Sequence, residues 1–246
     1  MEEIIGPKKS TEPQAGLDSS LRAGPLAQLI VEKIKEGEDP NDLLSYNPVQ
    51  WTNGSNIPFE AGADWLKPLR ELEINGRRDV FSQRLGQECQ PFEVAPPDEG
   101  LFAPENVVII SNGRCASSCS LFSITMSKLE GVKTVVVGGK QGVPQQYCGT
   151  VGGQSTDFSM IDTEVKSAKL KNHTLAPPDL LSNIVQGITW RLGFGLDDKD
   201  EPEEWQDHPA DINYPLTAET VNRPVALWEA ISKDVFRTNQ FVVQSS

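Results

Sequence analysis

The stretch Asn106-Val-Val-Ile-Ile-Ser-Asn-Gly-Arg-Cys-Ala-Ser-Ser-Cys-Ser-Leu-Phe122, followed by Thr134-Val-Val-Val-Gly138, decides the fold. Four apolar residues in a row, all of them β-branched, then a turn at Asn112-Gly113, read as a short buried strand. Leu121, Phe122, Ile124, Met126 and Leu129 suit one helix, and Gly131 ends it. The second β-branched run follows. Strand, helix and strand in that order predict a parallel βαβ unit, and so an α/β fold.

Outward from this centre the pattern weakens. Residues 1–15 are polar and read as an irregular tail. Leu21, Leu26, Leu29, Ile30, Val31 and Ile34 predict a helix over 17–35, broken at Gly24-Pro25. Residues 38–62 and 76–105 read as loop, as do 140–162 apart from short strands. A helix is expected over 177–190, an acidic loop over 197–209 and a final helix over 224–233. Residues 236–243 read as a strand or docked tail.

Composition excludes several functions. The 246 residues carry 22 Lys and Arg against 35 Asp and Glu, a net charge of −13. Phosphate neutralisation and anionic membranes both need a basic surface, so neither nucleic acid nor membrane is an expected partner. No apolar run reaches the roughly 20 residues of a membrane span. The start Met1-Glu-Glu-Ile-Ile-Gly-Pro7 lacks the basic and apolar regions of a signal peptide. Four cysteines are too few for a disulfide scaffold, and Cys115 and Cys119 read as buried thiols or one disulfide rather than half a zinc site. No cofactor or metal is expected. Asn53-Gly-Ser55 and Asn172-His-Thr174 are glycosylation sequons that agree with a secreted origin.

Ser117 and Ser118 lie where a parallel strand turns into a helix. There the helix dipole and backbone N–H groups favour developing negative charge. Either serine is equally a natural helix N-cap, a role that needs no catalysis. That alternative leaves room for an unrelated α/β small-molecule binder.

Asn112-Gly-Arg-Cys-Ala-Ser-Ser-Cys-Ser-Leu-Phe122 resembles the nucleophile segment of tail-specific serine proteases. The closest likeness is to their fungal branch, related to the chlamydial protease-like activity factor. Trp51-Thr-Asn-Gly-Ser-Asn56, Asn75-Gly-Arg77, Gly131-Val-Lys-Thr-Val-Val-Val-Gly-Gly-Lys140, Gly149-Thr-Val-Gly-Gly-Gln154 and Pro224-Val-Ala-Leu-Trp-Glu-Ala230 are similar to that branch in the same order. The resemblance covers the chain from about residue 16 onward. It implies a ClpP/crotonase-like spiral core of short parallel strands backed by helices, with residues 16–246 as the C-terminal part of a catalytic domain. It implies a serine-type peptidase acting on protein or peptide, extracellular in intact relatives. Ser117 matches the nucleophile, with Ser118 its rival. The Ser118 N–H matches one oxyanion donor, and Glu229 is the candidate orienting carboxylate. Cys115 and Cys119 fall on flanking packing positions.

The chain departs from that pattern in its base. No histidine precedes Ser117, and the position of the family's lysine falls near Pro144. Lys140, His173 and His208 are the remaining candidates, each expected to be exposed. No Gly-rich turn for the second oxyanion donor precedes Ser117. The expectation is therefore a domain incomplete at its N-terminus. Its alternative is a catalytically silent remnant or a peptide-binding module. Oligomeric state is not legible.

Overall fold

A computed structural model of the chain describes residues 2–5, 17–39, 45–74, 76–86, 99–149, 155–179, 187–195, 198 and 200–237. In chain order the elements are α1 (Glu2–Ile5), β1 (Asp18–Leu21), α2 (Pro25–Lys35), β2 (Arg70–Ile74), β3 (Arg77–Phe81), β4 (Val108–Ser111) and α3 (Ser118–Ile124). Then come β5 (Lys133–Val137), β6 (Ser155–Asp157), α4 (Phe158–Ser167), β7 (Gly187–Thr189), β8 (Arg191–Phe194), β9 (Ile212–Tyr214) and α5 (Pro224–Arg237). The fold is mixed α/β, with parallel strands in one sheet. Two compact units are present. One comprises Met1–Glu12, Val94–Thr150 and Asp207–Ser246, the other Pro13–Glu93 and Val151–Gln206.

The first unit holds the expected βαβ. β4 and β5 pair in parallel, and β9 adds to the far side of β5, also in parallel. Side chains alternate across a strand, so the two faces separate cleanly. Val108, Ile110, Val135 and Val137 pack with Leu227, Ile231 and Val235 of α5. Val107 and Ile109 pack with Met126, Val132 and Ile5. α3 runs on into a π-helical segment, Thr125–Leu129, before Gly131 closes it at φ +76°. β9 was not expected. Asp211 fastens it, since its Oδ2 accepts from Thr134 N (2.7 Å) and Thr134 Oγ1 (2.9 Å). Residues 2–5, within the stretch expected to be an irregular tail, form one helical turn whose Ile5 is 3 % exposed.

The second unit is built on antiparallel pairs: β1 with β8, β2 with β3 and β6 with β7. Leu21, Val31, Trp51, Trp65, Leu66 and Leu85 form one core, and α2 packs on α4 through Ile30, Ile34 and Val165, with Leu170 just beyond α4 joining them. Several expectations are corrected here. The helix over 17–35 is a strand and then a helix, because Pro25 suits a first helical turn and no earlier position. The loop over 76–105 contains β3, which forms a hairpin with β2 across Gly76 at φ +70°. Asn75-Gly76 is the hairpin dipeptide that marks it. In the helix expected over 177–190, residues 187–189 are strand and 180–186 lie outside the described residues. Ile188, Trp190, Leu192 and Phe194 recur every second residue, which is strand spacing. The expected strand over 236–243 falls mostly outside the described residues, and Phe236 belongs to α5.

α4 begins inside the expected 140–162 loop because Asp157 caps it. Its Oδ1 accepts from Met160 N at 2.9 Å. Ser159 Oγ–H and this N–H hold the Asp157 carboxyl below its ordinary value. A depressed carboxylate contributes stability that is present above its unfolded pKa and lost as pH falls through the folded one. Acid titration of helicity should therefore lose a step below pH 3.8 in Asp157→Asn, whose amide oxygen still caps but does not titrate. An unchanged acid limb would contradict this.

Candidate active site

The site is assembled at the C-terminal end of β4. Ser111 Oγ accepts from Gly113 N (3.0 Å) and Asn112 Oδ1 accepts from Arg114 N (3.0 Å), so the chain turns sharply as it leaves the strand. Gly113 takes φ +78°, which a side chain resists. Cys115 is buried. Its carbonyl accepts from Gly149 N (2.8 Å), and Ser120 Oγ donates to Gly149 O (2.6 Å). The segment after β5 is thus held along the turn.

Ser117 is exposed and occupies the N-cap position of α3, at φ 59° and ψ −131°. This is a region that residues with a Cβ seldom enter, at a cost of order 1–3 kcal/mol. A normal N-cap residue is extended and its side-chain oxygen accepts an N–H of the first turn. Ser117 makes no such bond. Its conformation therefore differs from a capping serine on both counts. A strained strand-to-helix turn that exposes a hydroxyl is how nucleophilic serines are presented in other folds. Ser118 is the first helical residue, and its N–H has no carbonyl inside the helix to bond.

Cys115 and Cys119 are joined in a disulfide that brackets Ser117. They are therefore more than the packing residues expected, and spacing could have indicated the bridge only as one option among several. Cys148 is buried, and Cys89 lies outside the described residues. Beside the bridge opens a cavity of about 390 Å³, lined by Arg114, Cys115, Cys119, Val137, Leu227 and Trp228 among others. Neither Ser117 nor Ser118 lines it. Arg114 and Trp228 were not singled out in the sequence. Leu227, Ile231 and Val235 mark the inward stripe of α5, and Trp228, 56 % exposed, stands off that stripe. An exposed tryptophan beside a cavity was the available signal.

The other candidates are dispersed. Glu229 is exposed on α5, and no described contact joins it to the Ser117 turn. Lys140 and His173 are exposed, as expected. His208 is not. It is 3 % exposed, its ring lies 5.9 Å from that of Tyr147, and its carbonyl accepts from Tyr147 N (3.0 Å). The acidity of its neighbours suggested exposure, but Gln146 and Tyr147 cover it, with Gln146 Oε1 accepting its backbone N–H. Asn172 of the second sequon is exposed, while Asn53 Oδ1 of the first accepts from Ser55 N (2.9 Å) and Ile57 N (3.1 Å) within a turn. Among the described residues no group of three His, Cys, Asp or Glu could hold a metal ion, and no helix is long and apolar enough to cross a membrane.

The chain is similar to fungal peptidase S41 family proteins. Peptidase S41 family protein ustP of Aspergillus flavus is 27 % identical over 177 residues, which is 61 % of this chain and 37 % of the relative. Peptidase S41 family protein phomP1 of Diaporthe leptostromiformis is 26 % identical over 181 residues, 55 % of this chain and 27 % of the relative. The chain thus spans well under half the length of the curated relatives it matches. No family model matches it. No solved structure matches it either.

Proposed function

We propose that the chain is a serine-type peptidase that hydrolyses peptide bonds by acyl transfer through Ser117. One observation carries this reading. Ser117 sits in a strained backbone conformation at a strand-to-helix turn, and its hydroxyl makes no capping bond. Strain of that kind is kept where function needs the geometry. Similarity to S41 peptidases supports the same assignment from an independent direction.

In this reading the Ser117 hydroxyl attacks the scissile carbonyl, and the Ser118 N–H stabilises the oxyanion that forms. One such donor is worth about 10²–10³ in rate. A serine hydroxyl at its ordinary pKa needs a base within hydrogen-bond reach. His208 is the candidate we favour over Lys140, because both share the unit of Ser117 but only His208 is buried, and an exposed lysine stays protonated. No role is proposed for Glu229. The finer affiliation, the tail-specific branch with a ClpP/crotonase-like core, rests on the order of the motifs from Trp51 to Ala230. An oxidising, extracellular setting is part of the reading, supported by the Cys115–Cys119 bridge.

A fluorophosphonate probe tests the proposal. Covalent label is expected on Ser117, located by peptide mass spectrometry, and absent in Ser117→Ala. Label lost also in His208→Gln, with the fold retained by circular dichroism, would assign the base. A folded wild-type chain that takes no label would overturn the catalytic reading and favour a silent peptide-binding module.

A further inference from the structure

The second unit contains a cavity of its own, of about 250 Å³. It lies between the N-terminal half of α2 and Met160, Ile161 and Glu164 of α4, with the 45–46 turn and Trp190 completing the wall. For scale, an apolar cavity of about 150 Å³ accepts benzene. The room is that of a ring or a short alkyl stem with a small head group.

Its lining is nearly all apolar, including Ala27, Ile30, Ile161 and the rings of Tyr46 and Trp190, whose centroids lie 6.2 Å apart at 60°. One ionisable acid interrupts it. Glu164 lines the cavity and is 3 % exposed. Its carboxylate accepts from the backbone N–H groups of Ser45 and, at 3.4 Å, Tyr46. These bonds satisfy oxygens but bring no counter-charge. Among the described residues no cation pairs with Glu164, and the nearby Lys166 and Lys171 are engaged by Asp162. A buried carboxylate without a cation is costly. Burial accordingly pushes its pKa up.

Two aromatic rings and an uncompensated carboxylate around an apolar hollow form a complementary set for one chemistry. We propose that this cavity binds an organic ammonium ion on an apolar stem, the ammonium facing Glu164 and the rings of Tyr46 and Trp190, and the stem against α2 and Ile161. The ammonium supplies the missing charge, and the rings add cation–π attraction that strengthens as water is excluded. The chemistry is shared by free hydrophobic amines and by lysine side chains. It is independent of the Ser117 site.

Calorimetric titration of the full chain tests the proposal with three probes: phenethylamine, N-acetyl-lysine N-methylamide and the neutral 2-phenylethanol. At least one ammonium probe is expected to bind about tenfold more tightly than the alcohol. Binding of phenethylamine alone marks a free amine as the source, and binding of the lysine derivative marks a side chain. Glu164→Gln keeps one acceptor oxygen for the Ser45 N–H, gives up the long bond from Tyr46 N, and should erase that tenfold preference. Ala27→Leu fills the hollow and should weaken every probe that binds, which keeps the test open if Glu164→Gln does not fold. The proposal is overturned if no ammonium probe binds the folded wild-type chain, if the alcohol binds equally well, or if Glu164→Gln leaves the preference intact.

Discussion

Ser117→Gly is expected to fold more stably than the native chain while taking no fluorophosphonate label. Two effects oppose each other. Relief of the φ 59°, ψ −131° backbone returns about 1–3 kcal/mol, since glycine enters that region without a Cβ clash. The freer unfolded chain takes back about 0.4–1 kcal/mol. The hydroxyl makes no capping bond that would be lost. The net is a gain of about 1 kcal/mol, readable as a rise in urea midpoint at unchanged slope. An ordinary N-cap serine behaves in the opposite way, because losing its side chain weakens the helix. A lower midpoint for Ser117→Gly would therefore contradict the strain argued for Ser117, and the labelling alone would then decide its catalytic role. Ser117→Ala separates the two contributions, since it removes the hydroxyl and keeps the strain.

Trp65→Ala should produce the largest loss of stability in the second unit, about 3–5 kcal/mol. The side chain is fully buried. Its ring stacks on Trp51 with centroids 5.4 Å apart at 19°, and its Nε1–H donates to the Tyr46 carbonyl at 3.0 Å. Truncation opens a large cavity and leaves that carbonyl without the donor. Trp51 would lose its stacking partner, and Arg191, which lies over Trp51 with its guanidinium carbon 5.6 Å from the ring centroid, would lose support. Burial already draws the pKa of Arg191 down to about 10, so any loosening that admits water there changes its cost too. Against a typical total of about 5–15 kcal/mol, the change would leave the chain marginal. Trp65→Phe keeps most of the apolar volume and should lose far less. Equal midpoints for Trp65→Ala and the native chain would mean that this aromatic cluster does not carry the unit.

Residues 106–138 announced their structure because two independent signals agree there. The β-branched runs have few alternatives to a buried strand, and the helical spacing between them ends at a glycine. Nothing local contradicts the global pairing, and β4, α3 and β5 follow. The candidate serine was legible for the same reason, since a strand-to-helix turn fixes where it must stand. Elsewhere the spacing was ambiguous. Ile184, Val185 and Ile188 fit a helix as read from one side, and Ile188, Trp190, Leu192 and Phe194 fit a strand as read from the other. Pairing of β8 with β1, distant in sequence, decides for the strand. β9 has only Ile212 and Tyr214 to mark it, and it exists because Asp211 and the open edge of β5 await it.

By itself the sequence determined the parallel βαβ centre, the acidic surface and the position of Ser117 at the head of a helix, because each follows from neighbours along the chain. Tertiary structure decided the rest. Whether Ser117 caps or is strained, whether Cys115 and Cys119 bond, whether His208 is buried and whether Glu164 meets a cation all depend on segments far apart in sequence. Those outcomes are set by which groups packing removes from water and which partners it brings to them, and spacing along the chain carries no record of either.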